Sequence, residues 1–185
     1  MHVIGITGTL GAGKGEVVEY LKKRGFLHFS AREFLLEEVK RRGLEPNRDS
    51  TNFVGEDLRR LHGASYVVEK LLAKALEVGK DAVIESIRTV GEIRFLKTQP
   101  NFHLLAVDAD PELRYARIAN RKSSLDHVTF EKFMEDEKRE SISEDPARMN
   151  LLHCIGLADY VLTNNGTKGE LYAQVEEVLK KIRPK

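Results

Sequence analysis

The run GTLGAGKGEV, from Gly8 to Val17, constrains this chain more than any other part of it. Gly8, Gly13 and Lys14 have the spacing of the phosphate-cradling pattern G-x-x-x-x-G-K-[ST]. The run follows a short β-branched stretch, HVIGIT (His2 to Thr7), and opens an amphipathic one. A strand that ends in such a loop and turns into a helix aims backbone N–H groups and a positive dipole end at one place, an anion nest. Gly11, Gly13 and Gly15 let backbone come close to a phosphate, and Lys14 reaches the outer phosphates. The pattern departs at its last position. Gly15 stands where Ser or Thr would give a hydroxyl to magnesium, and the acid Glu16 follows.

The rest of the composition narrows the class. With 185 residues the chain is long enough for one domain with one core, and 41% apolar against 32% charged residues is a globular profile. Thirty basic and 29 acidic side chains nearly cancel, so no bulk field favours nucleic acid. No stretch approaches the ~20 apolar residues of a membrane span. The N-terminal MHVIGITGTLG lacks a basic leader and reads as a buried strand, not a signal peptide. Cys154 is the single cysteine, so no internal disulfide forms, and neither it nor His127 nor His153 has ligand spacing for zinc. The expected compartment is the cytoplasm.

Periodicity predicts helices over Gly15 to Arg24, Ala31 to Arg42 with Ser30 as its cap, and Pro111 to Asn120 with Pro first. Thr51 to Val78 reads as one long or two broken helices, Thr129 to Ser141 as a helical piece, and Lys168 to Ile182 as the last helix. Leu44 to Ser50, polar and holding Pro46, reads as a loop. Short apolar runs predict strands at His2 to Thr7, Phe26 to Phe29, Ala82 to Ile84, Phe102 to Val107 and Tyr160 to Thr163. Five strands alternating with helices imply an α/β domain spanning 1–185, a three-layer α/β/α sandwich with a five-stranded parallel sheet. Ligands of such sheets bind at the carboxyl ends of the strands, where the glycine loop, Glu85 to Arg88 and Asp108 to Asp110 all fall.

The form GAGKG resembles the loop of adenylate-kinase-like nucleoside monophosphate kinases, in which Gly also replaces Ser/Thr, and IGITGTLGAGKGEVVEYLKKRG resembles the start of dephospho-coenzyme A kinases. A broader likeness covers IGITG, SAREFL, GLEPNRDSTNFVGEDLRRLHGASYVVEKLL, VIESIRTVGEI, AVDADPELRYARI, DEKRE and ADYVLTNNGTKGEL. That order resembles a group of microbial P-loop kinases related to adenylate kinase, and the kinase-like domain that precedes the zinc deaminase in some deoxycytidylate deaminases. The H-x-E and P-C-x-x-C deaminase signature is absent.

The resemblance implies ATP and Mg2+ as cofactors, acceptor-binding helices over about 30–78 and a short lid over about 121–150. It places ATP on Gly8, Thr9, Leu10, Gly11, Ala12, Gly13, Lys14, Gly15 and Glu16. Glu85 stands where the related kinases have Asp, one methylene longer; with Glu16 it is the acid that could support Mg2+ through water. Arg88 follows the third strand as an acceptor-binding Arg does in monophosphate kinases, one residue closer. Arg117 and Arg121 are similar to the R-x-x-x-R that starts the lid, one stacking on adenine and one reaching phosphates. Asn165 and Gly166, in NNGT, resemble the turn that borders the adenine, and Arg139 would return from the far side of the lid.

A kinase needs a second anion site facing the first, and Arg suits it because its planar fork holds phosphate by two bonds. Arg32, Arg59 and Arg88 are the residues expected to build it. The activity first expected is transfer of the γ-phosphoryl of ATP to a nucleoside or deoxynucleoside monophosphate, by a monomer or homodimer, with Lys14, Glu85, Arg88, Arg117 and Arg121 at the reaction centre. A dephospho-coenzyme A kinase is the second reading, although SAREF stands where that family carries an Asp pair. A nucleotide sensor or slow ATPase is the third. Lys14→Ala is expected to abolish turnover without unfolding the chain; circular dichroism beside an ADP-release assay checks this, and full turnover in a folded variant would remove the loop from the site.

Overall fold

The computed structural model describes residues 1–120, 129–145 and 147–183. Five parallel strands lie in the order β2-β3-β1-β4-β5: β1 (Val3–Gly8), β2 (Leu27–Ser30), β3 (Ala82–Glu85), β4 (Phe102–Asp108) and β5 (Tyr160–Thr163). The chain runs outward from β1 to β2, returns through β3, and then crosses to β4. The crevice at that reversal lies over the carboxyl end of β1, where the glycine loop begins.

Alternation along the strands sends side chains to two cores. Ile4, Ile6, Val83, Leu105, Val107 and Leu162 pack under α1 (Lys14–Lys23) and α9 (Lys168–Ile182). Val3, Ile84 and Leu104 face the other layer: α2 (Ala31–Arg41), α3 (Arg48–His62), α4 (Tyr66–Val78), α5 (Val90–Lys97) and α8 (Leu151–Gly156). Burial on both faces explains why the strands read as continuous apolar runs. The expected three-layer α/β sandwich is therefore the fold. Two further helices, α6 (Pro111–Ala119) and α7 (Phe130–Ser141), follow β4.

Two local features differ from the sequence expectation, and a third decides between its alternatives. The segment read as a loop to Ser50 already begins α3 at Arg48, because Asn47 and Ser50 form a reciprocal cap, each side chain bonded to the other's backbone N–H. Gly63, at φ 108°, separates α3 from α4, so the long helical pattern is two helices. Helices α5 and α8 have too few turns to show a clear period, yet a Thr89–Glu92 capping box starts one and the Asn150 side chain the other.

The loop itself is a backbone construction. Gly13 caps α1 in the left-handed region, φ 103°, and no side chain caps that helix. A Cβ at Gly13 would lie 2.3 Å from Asn164 Nδ2, which donates to the Ala12 carbonyl at 2.8 Å. Around Gly15, by contrast, a Cβ meets nothing within 4 Å. Gly13→Ala should therefore cost about 1–3 kcal/mol from strain and displacement of Asn164. Gly15→Ala should fall within about 1 kcal/mol of the parent, favoured by helix propensity. Urea unfolding of the two variants measures the contrast, and equal stabilities would refute it.

Candidate functional site

The anion nest is locked from below. Thr9 Oγ1 donates to Asp108 Oδ1 at 2.6 Å, and Asp108 also accepts the Ala109 N–H. Arg114, 4% exposed, donates to the Leu10 and Ala109 carbonyls, and Asn164 bonds both Ala12 and the Asp108 carbonyl. Lys14 Nζ lies over the loop, donating to the carbonyls of Gly8 and Thr9 at 2.8 and 2.6 Å. With no capping side chain on α1, this loop fits a polyphosphate.

Glu85 closes β3 beside the loop. Its Oε1 accepts the Ser30 hydroxyl at 2.8 Å and lies 3.7 Å from His28 Nε2. Burial opposes its charge, but His28, Ser30 and the Lys14 ammonium outweigh burial and hold the carboxyl at about 2. So acidic a group is a weak proton acceptor at neutral pH, and a good partner for a hydrated cation. Glu16, the other acid expected to support a metal through water, accepts from Lys168 Nζ at 2.7 Å and the Tyr172 hydroxyl at 3.0 Å, contacts that join α1 to α9.

Next to the nest a small cavity, partly open to solvent, is walled by Arg32, Arg48, Arg59 and Arg88 with Leu10 of the loop, Leu35, Thr51, Asn52, Ser86 and Met149. Ser86 turns the chain after β3 with φ 67°, a strained angle for a non-glycine residue, and Arg88 follows it. Glu92 fixes that turn: fully buried, it accepts the N–H groups of Arg88 and Thr89 on Oε2, at 3.1 Å each. Its Oε1 accepts Arg59 Nε and Nη2 at 3.0 and 2.7 Å. Arg59, expected among the acceptor-binding arginines, lines the cavity as a buried partner of Glu92.

Arg88 and Arg32, also expected in a second anion site, line the cavity. Arg48 joins them without having been foreseen, since it opens α3 in a stretch read as loop. Glu140 of α7 accepts Arg48 Nε and Nη2 at 2.9 and 2.7 Å and lies 3.6 Å from Arg88 Nη1. Burial and the nearby Arg48 and Arg32 charges lower the Arg88 pKa, while Glu140 opposes that shift.

Arg117 ends α6, where its Nη2 donates to the Asn164 carbonyl at 2.8 Å. Its Nη1 is buried without a hydrogen-bond partner in the described structure, a donor that fits a ligand carrying acceptors. Arg121 lies outside the described residues, as does the first part of the expected lid, 121–128. Asn165 Oδ1 accepts the Asp110 N–H, and Gly166 completes the turn into α9. Arg139 pairs with Asp49 and Asp136 on an exposed surface. The sequence reading missed Arg114, whose guanidinium also pairs with Glu137 at 2.7 Å and lies over Phe133, tying α7 to the loop. Its position three before Arg117, on the same helix face, was the available signal. Cys154 is fully buried, its thiol pushed up to about 12 by burial and Glu92, which makes it unreactive.

A sequence-family profile described as an AAA domain matches residues 4–143. A UPF0200 protein of Thermococcus kodakarensis is 32% identical, the alignment covering 97% of each chain, and one of Methanococcus vannielii is 29% identical over 98% of this chain and 97% of its own. The chain belongs to the UPF0200 family. Among solved structures, this UPF0200 chain is similar to TT1252 of Thermus thermophilus, at 25% identity, TM-score 0.62 and 98% of both chains. It also resembles a shikimate kinase of Bacteroides thetaiotaomicron (14%, TM-score 0.59, 98% and 97% covered) and a dephospho-CoA kinase of Campylobacter jejuni (13%, 0.54, 100% and 98%). The UPF0200 fold is thus that of P-loop kinases.

The Glu85 carboxyl, held at about 2 against 4.5 ordinarily, gives the unfolded chain more bound protons between those values. Its contribution is complete above pH 4.5 and is lost as pH falls toward 2. Glu85→Gln should flatten that part of the pH–stability curve by on the order of 3 kcal/mol, read by denaturant titration at stepped pH. Identical acid limbs for parent and variant would contradict the assignment.

Proposed function

We propose that this protein is an ATP-dependent phosphotransferase whose acceptor is a nucleoside or deoxynucleoside monophosphate. The observation that carries this reading is the meeting of two anion sites: Leu10 of the glycine loop lines the same cavity as Arg32, Arg48 and Arg88. A nucleotide sensor needs only the first site. A kinase with a phosphorylated acceptor needs both, because phosphoryl transfer depends on holding donor and acceptor in line while neutralising charge.

In this reading the loop N–H groups and Lys14 hold the β- and γ-phosphates of ATP, and the Arg117 Nη1 donor faces the nucleotide. Arg88 with Arg32 holds the acceptor phosphate. An ionised phosphate oxygen of the acceptor forms the new bond to the γ-phosphorus as the bond to the β–γ bridging oxygen breaks and ADP leaves. No proton has to be removed, in keeping with a Glu85 too acidic to act as a base. Among the described residues no three acidic, His or Cys side chains converge on a metal position, so Mg2+ would be held mainly by the nucleotide phosphates, with Glu85 holding one of its waters. Magnesium supplies charge neutralisation on the transferring group.

The test is ADP and product formation from Mg-ATP with a panel of ribo- and deoxynucleoside monophosphates and dephospho-coenzyme A. One monophosphate should stimulate strongly and appear as its diphosphate, and Arg88→Ala should raise the acceptor KM about ten- to hundredfold, the worth of a charged hydrogen bond. A slow ADP release independent of acceptor would replace this reading with an ATPase or sensor, and phosphorylation of dephospho-coenzyme A alone would replace the acceptor.

A further inference from the structure

One group bonded to the arginines of the cavity wall has no part in the reading above; it lies behind them, facing the neighbouring pocket of Asp49, Asn52 and Glu56. Glu140 comes from α7, while the arginines come from α2, α3 and the β3–α5 turn. Its side chain is 3% exposed. One oxygen takes both Arg48 nitrogens, at 2.9 and 2.7 Å, with Asn52 Nδ2 at 3.5 Å; the other lies 3.6 Å from Arg88 Nη1. Two oxygens shared between two guanidinium groups is also the arrangement an oxyanion ligand would adopt there. Arg32 lines the same cavity and forms no ion pair among the described residues, so positive charge remains in excess.

We propose that the Glu140 carboxylate is a built-in stand-in for the acceptor's phosphate, which a phosphomonoester dianion must displace from Arg48 and Arg88. The two anions compete for these arginines: Glu140 takes the Nε and Nη2 donors of Arg48, and a buried carboxylate is repelled by a dianion a few ångströms away. Binding is therefore an exchange. A phosphomonoester brings a second charge and a third terminal oxygen, which reaches Arg32 as well. A monocarboxylate or a neutral polar group brings neither and leaves Glu140 in place. Glu140 thus selects for dianions and, because it sits on α7, the exchange releases one anchor of the lid helix when acceptor arrives.

The inference rests on the cavity being the acceptor-phosphate site, but not on ATP or on transfer. Its rival is a positioning role, in which Glu140 holds Arg48 and Arg88 ready for the ligand. The two differ in sign. Inorganic phosphate titrated into the full chain, followed by the Nε–H resonances of Arg48 and Arg88, reads this cavity apart from the glycine loop, whose amides report separately.

Glu140→Gln keeps the size and shape of the side chain and removes its charge. It should bind phosphate at the arginines about fivefold or more tightly, because the competent state no longer has to be freed from a competitor. In an Arg48→Ala background the gain from Glu140→Gln should shrink toward none. Unchanged or weaker phosphate binding in Glu140→Gln would overturn the proposal in favour of positioning, and so would a failure of phosphate to move either arginine resonance. Tighter phosphate binding together with acceptor-independent ADP release would leave the exchange standing and remove the kinase reading.

Discussion

The uncapped start of α1 is the constraint on which the rest of the site depends. A helix end with unsatisfied N–H groups and a left-handed Gly13 is unstable unless its surroundings hold it. Here they do so through carbonyls and not through the N–H groups: Asn164 takes the Ala12 oxygen and Arg114 the Leu10 oxygen. Thr9 is fixed through Asp108. Carbonyl oxygens of the loop are tied down by donors from α6 and the turn after β5, the Thr9 hydroxyl by Asp108 of β4, and the Ala12 N–H by the Thr9 carbonyl. Pre-organisation of that kind favours an anion without reorganisation when it binds.

The second organising group is the buried Glu92. One carboxylate orders the turn carrying Arg88 and neutralises Arg59, so this side of the cavity is shaped by a charge that does not line it. Removing either partner would leave an uncompensated buried charge, which is why these residues act as one unit. The consequence for function is a division of labour among arginines of similar appearance: Arg59 builds, Arg32 and Arg88 face the cavity, and Arg48 faces it while bound to Glu140.

Helix α7 connects the two halves. Glu137 pairs with Arg114, which touches the glycine loop, and three residues later Glu140 pairs with Arg48 of the cavity wall. One turn of one helix thus holds an arginine of the loop and an arginine of the cavity.

Much of this was determined by the sequence alone. The G-x-x-x-x-G-K spacing after a β-branched run, the doubly buried strands, the cap at Ser30 and the helix-opening Pro111 are local signals with local causes, and the parallel sheet, the loop and the position of Arg88 follow from them. Arg48 was hidden because its helix start depends on the Asn47–Ser50 cap, inside a segment whose Pro and polar residues argued for a loop. What a charged side chain does was a different matter. Glu16 and Glu85, or Arg59 and Arg88, carry the same chemistry in a sequence, and only the fold decides which finds Lys168, Glu92 or an open cavity. Those partners lie 152 and 33 residues away for Glu16 and Arg59, so no spacing along the chain encodes them. Covalent order sets the elements and their edges; burial and long-range charge pairing, which exist only once the layers have packed, set the roles of the side chains between them.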